Sequence, residues 1–320
     1  MAAGTPATHV PVLCARVVEL LAVSLQAPGA IYVDCTLGLG GHALAVLQAC
    51  PGARLIGIDR DTDALDEARR RLAPVADRVE LYQAIYHELP EVLAEAGVPK
   101  VSAILADLGL SSLQIDRRER GFAYSVDAPL DMRMDASEAL TAAQIVNTWP
   151  APRLVEILRR FGEERFADRI VRAIIAERER EPFDSSARLV TVISSSIPVA
   201  AQITGGHPAK RTFQALRIAV NGELDSLAGL LPEALDALAP GGRFAVLAYH
   251  SLEDRAVKTA FREASTDRAP RDMPLVPEAL QARFRLVTRG AERPGEAEQE
   301  ENPRAASARL RVIERTREAA

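Results

Sequence analysis

Short apolar runs alternate with amphipathic segments over the first third of the chain. The runs predict buried strands at residues 30–33, 54–58, 79–82 and 101–106. Apolar residues at helical spacing predict helices over 12–25, 43–49, 63–72 and 89–96. Strands that are apolar on both faces and alternate with helices are typical of a parallel sheet covered by helices.

The alternation stops after residue 115 and resumes after residue 210. In between, the spacing predicts helices over 152–161, 163–180 and 187–195, and no central strand. We therefore predict an α/β domain made of residues 1–115 and 211–320, interrupted by a helical insert at 116–210.

The last third of the chain extends the predicted sheet. A helix over 212–231 precedes a fifth strand at 243–248, and further strands follow at 284–288 and 310–313. Because the pattern places no helix between the last two strands, we expect a terminal antiparallel pair. The acidic segment 292–303 between them is predicted to be a loop.

Composition limits the class of protein. The chain has 320 residues, of which 48% are hydrophobic, and a net charge of −5. No apolar run approaches the roughly 20 residues that a membrane helix needs, and the N-terminus lacks a signal-peptide pattern, so we expect a cytoplasmic enzyme. Three cysteines without C-x-x-C spacing and five scattered histidines predict neither a disulfide framework nor a metal site.

The first strand, its glycine turn and the second strand predict a cofactor site. Gly40 and Gly41 lie in the turn and allow the backbone to come close to a ligand. The second strand ends at Asp59, whose carboxylate is placed to accept hydrogen bonds from ribose hydroxyls. This βαβ arrangement predicts a cofactor that contains adenosine.

The same motif leaves two cofactors open. The stretch 38–43 also satisfies the dinucleotide pattern G-x-G-x-x-G/A, so an NAD-dependent oxidoreductase remains an alternative. Asp34 at the end of the first strand, Asp107 at the end of the fourth and the terminal strand pair favour S-adenosylmethionine. Asp107 is then the candidate catalytic residue, because an oxygen acceptor can take the proton of an exocyclic base amine.

Two further groups are candidates for substrate binding. His250 and Ser251 follow the fifth strand, at the edge of the sheet where the other strand ends lie. The predicted helix after residue 211 carries basic, aromatic and amide side chains that suit phosphate contacts and base stacking, namely Arg211, Phe213, Gln214 and Arg217. For Phe213, a place in the apolar core is the alternative.

Motifs along nearly the whole chain match one family. They are the stretches 34–42, 107–114, 120–122 with 129–134, 161–165, 207–217, 250–255 and 301–305. In their order and content they resemble those of the bacterial 16S ribosomal RNA cytosine-N4 methyltransferases. Leu37 and Leu39 stand where many members carry an aromatic residue and an arginine, and Tyr86 stands where phenylalanine is common.

The resemblance implies a Rossmann-like class I methyltransferase fold and methylation of a cytidine in the decoding region of the small ribosomal subunit. It implies that S-adenosylmethionine contacts Gly40, Gly41, His42, Asp59, Tyr86, Asp107 and Gln114. The helical insert would recognise the 16S ribosomal RNA. A ribosome-assembly factor without turnover stays an alternative, and Trp149 is a candidate for a contact in a homodimer.

Overall fold

The computed structural model of the protein describes residues 11–204, 206–270, 273 and 276–317. The strands are β1 (Ile31–Asp34), β2 (Arg54–Asp59), β3 (Val79–Gln83), β4 (Val101–Asp107), β5 (Leu238–Ala248), β6 (Phe284–Leu286) and β7 (Arg309–Arg315). The helices are α1 (Cys14–Ala22), α2 (Gly41–Ala49), α3 (Thr62–Leu72), α4 (Leu89–Glu95), α5 (Ser112–Asp116), α6 (Ala142–Thr148), α7 (Ala151–Gly162), α8 (Ala167–Arg178), α9 (Ser186–Ser196), α10 (Val199–Thr204), α11 (Lys210–Asn221), α12 (Glu223–Ala237), α13 (Ser251–Ala264) and α14 (Glu296–Glu301).

The strands form one sheet with the order β3-β2-β1-β4-β5-β7-β6. Neighbours among β1 to β5 pair in parallel, whereas β7 is antiparallel to both β5 and β6. The predicted α/β fold with a terminal antiparallel pair is therefore confirmed.

Both faces of the sheet are buried, as the apolar strands predict. Successive residues of a strand point to opposite faces, and Tyr32 and Val33 of β1 accordingly belong to two different core clusters. Residues of α1 and α2 pack in the first cluster, and residues of α4 and α13 pack in the second. Covering helices thus hold the carboxyl ends of the parallel strands in a fixed arrangement.

The chain divides into two compact units. One runs up to Gly109 and resumes at Asp225, and it contains the whole sheet. The other, Leu110–Leu224, consists of helices with their own apolar core, to which Leu158, Ile170 and Phe213 belong. The contacts assign residues 110–115 and 211–224, which we predicted to belong to the α/β domain, to this helical unit.

Two elements differ from the predicted pattern. The single helix predicted over 212–231 is broken at Gly222, which adopts φ +62° and ends α11 before α12 begins. The prediction of a loop at 292–303 is wrong, because this segment contains α14 and is tied to the start of the chain. Arg16 donates to both carboxylate oxygens of Glu292 at 2.7 and 2.9 Å, and the Leu13 amide donates to Glu298 at 2.6 Å.

No helix within the described ranges is long and apolar enough to cross a membrane.

Candidate functional site

The carboxyl ends of the parallel strands bring the predicted acidic residues to one edge of the sheet. Asp34 ends β1 and pairs with Gly57 of β2 and Leu105 of β4. Asp59 ends β2, two residues after Gly57, and Asp107 ends β4, two residues after Leu105. This register follows from parallel pairing, and it places three carboxylates around the glycine turn.

The glycine turn joins β1 to α2 through backbone that favours glycine. Gly38 and Gly40 have φ of +52° and +72°, in the left-handed region where a side chain is strained. Gly41 begins α2, and a Cβ atom built there would lie only 2.6 Å from the Cγ atom of Pro11. Both predicted turn glycines therefore stand where the structure requires glycine.

Asp59 fixes this turn to the end of β2. Its Oδ2 accepts a hydrogen bond from the Gly38 amide at 2.7 Å, and its Oδ1 accepts one from the Asp61 amide at 2.9 Å. Burial raises the pKa of Asp59 to about 6, although the two amides lower it. The carboxylate is thus held in one orientation and is ionised at neutral pH.

The arrangement of Asp59 fits an adenosine-containing cofactor. Each carboxylate oxygen has two lone pairs, so the amides leave acceptor capacity for ribose hydroxyls. Tyr86 lies in a short 3-10 turn after β3, whose last residue Gln83 pairs with Asp59. Its half-buried ring packs against one of the two sheet cores. Tyr86 therefore lies just after the strand that pairs with Asp59, and its ring is partly exposed there.

Asp34 is the most buried of the three carboxylates, with 1% of its surface exposed. It accepts hydrogen bonds from the Tyr32 hydroxyl at 3.1 Å and from the Thr36 amide at 3.2 Å. Burial raises the pKa of Asp34 to about 6, and the neighbouring His42 opposes this shift. A charge at this position is therefore maintained at neutral pH against a desolvation cost.

His42 links the start of the chain to Asp107. Its Nε2 lies 2.9 Å from the carbonyl oxygen of Val12, and because a carbonyl only accepts, this nitrogen donates. Its Nδ1 lies 3.5 Å from Oδ2 of Asp107, and the side chain is 6% exposed. The imidazole is thus held between two oxygen atoms, behind the glycine turn.

Asp107, the predicted catalytic residue, is held from two sides. Its backbone amide donates to the Thr36 hydroxyl at 2.6 Å, and its Oδ1 accepts a hydrogen bond from the Tyr249 hydroxyl at 2.7 Å. Burial and the charge of Asp107 raise the pKa of the Tyr249 hydroxyl well above its ordinary value, so the phenol remains a donor.

Sequence reasoning did not identify Tyr249. The available signal was its position directly after the fifth strand, next to His250. Asp107 pairs with Leu247 across β4 and β5, so a tyrosine two residues beyond Leu247 reaches the end of β4. Only the strand register makes that contact visible.

His250 and Ser251 begin α13. His250 is the N-cap residue, and its Nδ1 accepts a hydrogen bond from the Glu253 amide at 3.4 Å, while its Nε2 lies 3.1 Å from Oε1 of Glu253. Glu253 in turn accepts from the backbone amides of Tyr249 and His250 at 2.8 and 3.2 Å. The His250 side chain therefore has a structural role in ending β5 and starting α13.

The remaining predicted residues lie in the helical unit. Gln114 is 4% exposed and forms a capping box with Ser111 at the start of α5, through contacts of 3.1 and 3.2 Å. Arg211 is exposed and donates to the Glu163 carbonyl at 3.0 Å. Its guanidinium thus lies on the surface of this unit.

Three predicted substrate residues on α11 make contacts inside the helical unit. Phe213 is 3% exposed and belongs to the core, the alternative that the sequence left open. Gln214 donates to the Phe161 carbonyl at 2.8 Å. Arg217 donates to both carboxylate oxygens of Glu223 at 2.8 and 2.7 Å. These contacts fix α11 within the unit.

Comparison with known proteins gives a consistent result over the whole chain. A sequence model of the MraW methylase family matches residues 6–316. A "Ribosomal RNA small subunit methyltransferase H" of Cutibacterium acnes is 58% identical over 317 residues, which cover 99% of this chain and 94% of that protein. Proteins of the same name from Thermobifida fusca and Streptomyces avermitilis are 58% and 57% identical, covering 98% and 97% of this chain and 96% and 98% of their own lengths.

Proposed function

The chain belongs to the MraW methylase family, and we propose that this S-adenosylmethionine-dependent methyltransferase methylates the exocyclic N4 amine of a cytidine in the decoding region of 16S ribosomal RNA. Its substrate is the RNA within the small ribosomal subunit. The observation that carries the proposal is the position of Asp107 at the carboxyl end of β4, with its carboxylate held by Tyr249 at 2.7 Å beside the glycine turn.

The residues at the sheet edge support binding of the methyl donor. Asp59 accepts hydrogen bonds from the ribose, and the turn at Gly40 and Gly41 admits the ligand close to the backbone. Tyr86 stacks on the adenine, and His42 and Gln114 complete the proposed contacts. When bound, S-adenosylmethionine supplies a methyl group on a positively charged sulfur, which is already electrophilic.

The remaining task of the protein is to orient and deprotonate the amine. The lone pair of a cytosine N4 amine is delocalised into the ring, so an oxygen that accepts an amine hydrogen localises that pair and takes the proton. The contacts that anchor the Asp107 carboxylate support its proposed role in this step. Alignment of donor and acceptor then accounts for a large part of the rate.

We assign RNA recognition to the helical unit, with Arg211 as an exposed cation that can contact phosphate. His250 and Ser251 stay proposed substrate-side residues at the end of β5. Family membership supports methyl transfer over the NAD-linked oxidoreductase and over an assembly factor without turnover. We further propose that the protein acts in the cytoplasm and that it forms a homodimer. Sedimentation of the purified protein measures its mass in solution and tests the homodimer.

The test uses labelled S-adenosylmethionine and small ribosomal subunits from a strain that lacks this gene, followed by mass spectrometry of the nucleosides. We expect the label in N4-methylcytidine. Label in another nucleoside would refute the proposed acceptor, and binding of S-adenosylmethionine without transfer would refute turnover. Asp107→Asn and Asp107→Ala should both lose most of their turnover, because neither side chain accepts a proton as a carboxylate does.

A further inference from the structure

Tyr249 contacts the proposed catalytic segment in two ways. Its hydroxyl donates to Oδ1 of Asp107 at 2.7 Å. Its ring lies against Gly109, where a Cβ atom would approach the Tyr249 Cδ2 atom to 3.3 Å and where φ is +96°. One side chain thus contacts both the first and the third residue of the segment 107–109.

The backbone fixes Tyr249 in this position. Leu108 donates its amide to the Leu247 carbonyl at 2.9 Å, which continues the ladder between β4 and β5 past the end of β4. The Tyr249 amide donates to Glu253 at 2.8 Å, in the first turn of α13. The backbone that carries the Tyr249 side chain is therefore held by the sheet on one side and by a helix on the other.

The hydrogen bond restrains a side chain that is otherwise soft. The terminal torsion of an aspartate is broad, so an unrestrained carboxylate samples orientations that are unsuited to an incoming amine. With Oδ1 bound by Tyr249, Oδ2 faces His42 Nδ1 at the longer distance of 3.5 Å. The two oxygens of Asp107 therefore have different partners and cannot exchange without breaking the tyrosine contact.

We infer that Tyr249 is a positioning residue for methyl transfer, which acts through Asp107 by fixing the orientation of its carboxylate toward the acceptor amine. This inference rests on the proposed function. Because burial and the charge of Asp107 raise the pKa of the Tyr249 hydroxyl well above its ordinary value, the phenol stays protonated and donates to Asp107, so it does not take the amine proton itself.

The first test is Tyr249→Phe, which removes the hydroxyl and keeps the ring against Gly109. We expect kcat for N4-methylcytidine formation to fall about tenfold, the loss typical of one hydrogen bond to a charged group. The KM for small subunits and the calorimetric Kd for S-adenosylhomocysteine should change less than about twofold. The matched control is Tyr82→Phe, which removes a hydroxyl that donates to Glu80 at 3.2 Å on β3, and we expect it to leave kcat unchanged.

A double-mutant cycle separates positioning from a general structural role. In an Asp107→Ala background, adding Tyr249→Phe should cost less than about twofold, because the side-chain oxygen that Tyr249 contacts is already lost. Single-turnover conditions, with enzyme in excess over subunits, keep the slow variants measurable. Thermal unfolding of each variant checks that the fold is retained.

Each other outcome overturns the inference. An unchanged kcat in Tyr249→Phe would show that the hydroxyl is dispensable, and equal losses in both backgrounds would show that it acts independently of Asp107. A raised Kd for S-adenosylhomocysteine at unchanged kcat would place Tyr249 in the donor site instead. If the wild-type protein forms no N4-methylcytidine, the proposed function itself fails, and the inference fails with it.

Discussion

Replacing Asp34 with asparagine tests the cost of holding a charge at the buried edge of the sheet. Asp34 is 1% exposed, and burial raises its pKa from 3.8 to about 6. At pH 7.5 the folded protein therefore holds an ionised carboxylate that water would solvate better. Asparagine has almost the same shape without the charge, so we expect Asp34→Asn to stabilise the protein at this pH.

The magnitude follows from the pKa shift. The difference between about 6 and 3.8 is roughly 2 units, and at about 1.4 kcal/mol per unit this amounts to about 3 kcal/mol. The amide nitrogen cannot accept a hydrogen bond as Oδ2 does from the Tyr32 hydroxyl, which costs about 1 kcal/mol. We therefore expect a net gain of about 2 kcal/mol in the free energy of unfolding at pH 7.5.

The gain depends on pH with a definite sign. Because the folded-state pKa of Asp34 is raised, its protonation favours the folded state below about pH 4, and this stability is lost as the pH rises toward 6. The wild-type protein should lose about 2 kcal/mol from this group between pH 4.5 and 7.5. Asp34→Asn lacks the titration, so its advantage should be small or absent at pH 4.5.

Urea unfolding followed by circular dichroism, without cofactor, at pH 4.5 and 7.5 measures the effect. Asp254→Asn is a control of opposite sign. Burial raises the pKa of Asp254, but hydrogen bonds from Arg311 and Arg309, both at 2.8 Å, outweigh burial and hold this pKa below its usual value. Ionised Asp254 therefore stabilises the folded protein at pH values above the pKa that this group has in the unfolded chain. Asp254→Asn should accordingly destabilise the protein at pH 7.5. A less stable Asp34→Asn at pH 7.5, or the same difference at both pH values, would refute the reasoning.

Three further substitutions test the cofactor edge and the helical core. Asp59→Asn should weaken S-adenosylhomocysteine binding about 10- to 100-fold in calorimetry, because the side-chain NH2 group would face one of the two backbone amides that now donate to Asp59. The matched control is Asp61→Asn, which replaces an N-cap residue by an equivalent one. Equal affinities of the Asp59→Asn and Asp61→Asn proteins would contradict the assignment of Asp59 to the cofactor site. Gly41→Ala should weaken the same binding about tenfold, because its Cβ would lie 2.6 Å from the Pro11 Cγ atom and would force a shift in the backbone where α2 begins. Unchanged affinity would disprove this dependence. Phe213→Leu should lower the free energy of unfolding by about 1–2 kcal/mol without weakening RNA binding in a filter assay, because the ring is 3% exposed; weaker RNA binding at unchanged stability would contradict its place in the core.

The order of strands and helices could be predicted from the sequence because burial on both faces leaves continuous apolar runs. The positions of Asp34, Asp59 and Asp107 followed from the same pattern. The carboxyl ends of parallel strands meet at one edge of a sheet, so residues at three strand ends had to gather there. The glycine turn was recognisable because a left-handed backbone favours glycine, as Gly38 and Gly40 show.

Other features depend on contacts between distant parts of the chain, which local patterns do not encode. The acidic segment was predicted to be a loop by its composition, but Arg16 binds Glu292 across 276 positions of sequence. Likewise, the helical spacing around Phe213 is compatible with an exposed or a buried ring. Its burial is decided by the packing of the helical unit.

The α/β fold with its terminal strand pair, the glycine turn and the carboxylates at the strand ends could be predicted without the structure, because each depends on residues close together in the chain or on the general geometry of parallel sheets. The contact by which Tyr249 holds Asp107, in contrast, depends on how the strands pair. That contact joins residues 142 positions apart and exists because β4 and β5 pair in one register. A shift by one residue would turn the tyrosine to the opposite face of the sheet.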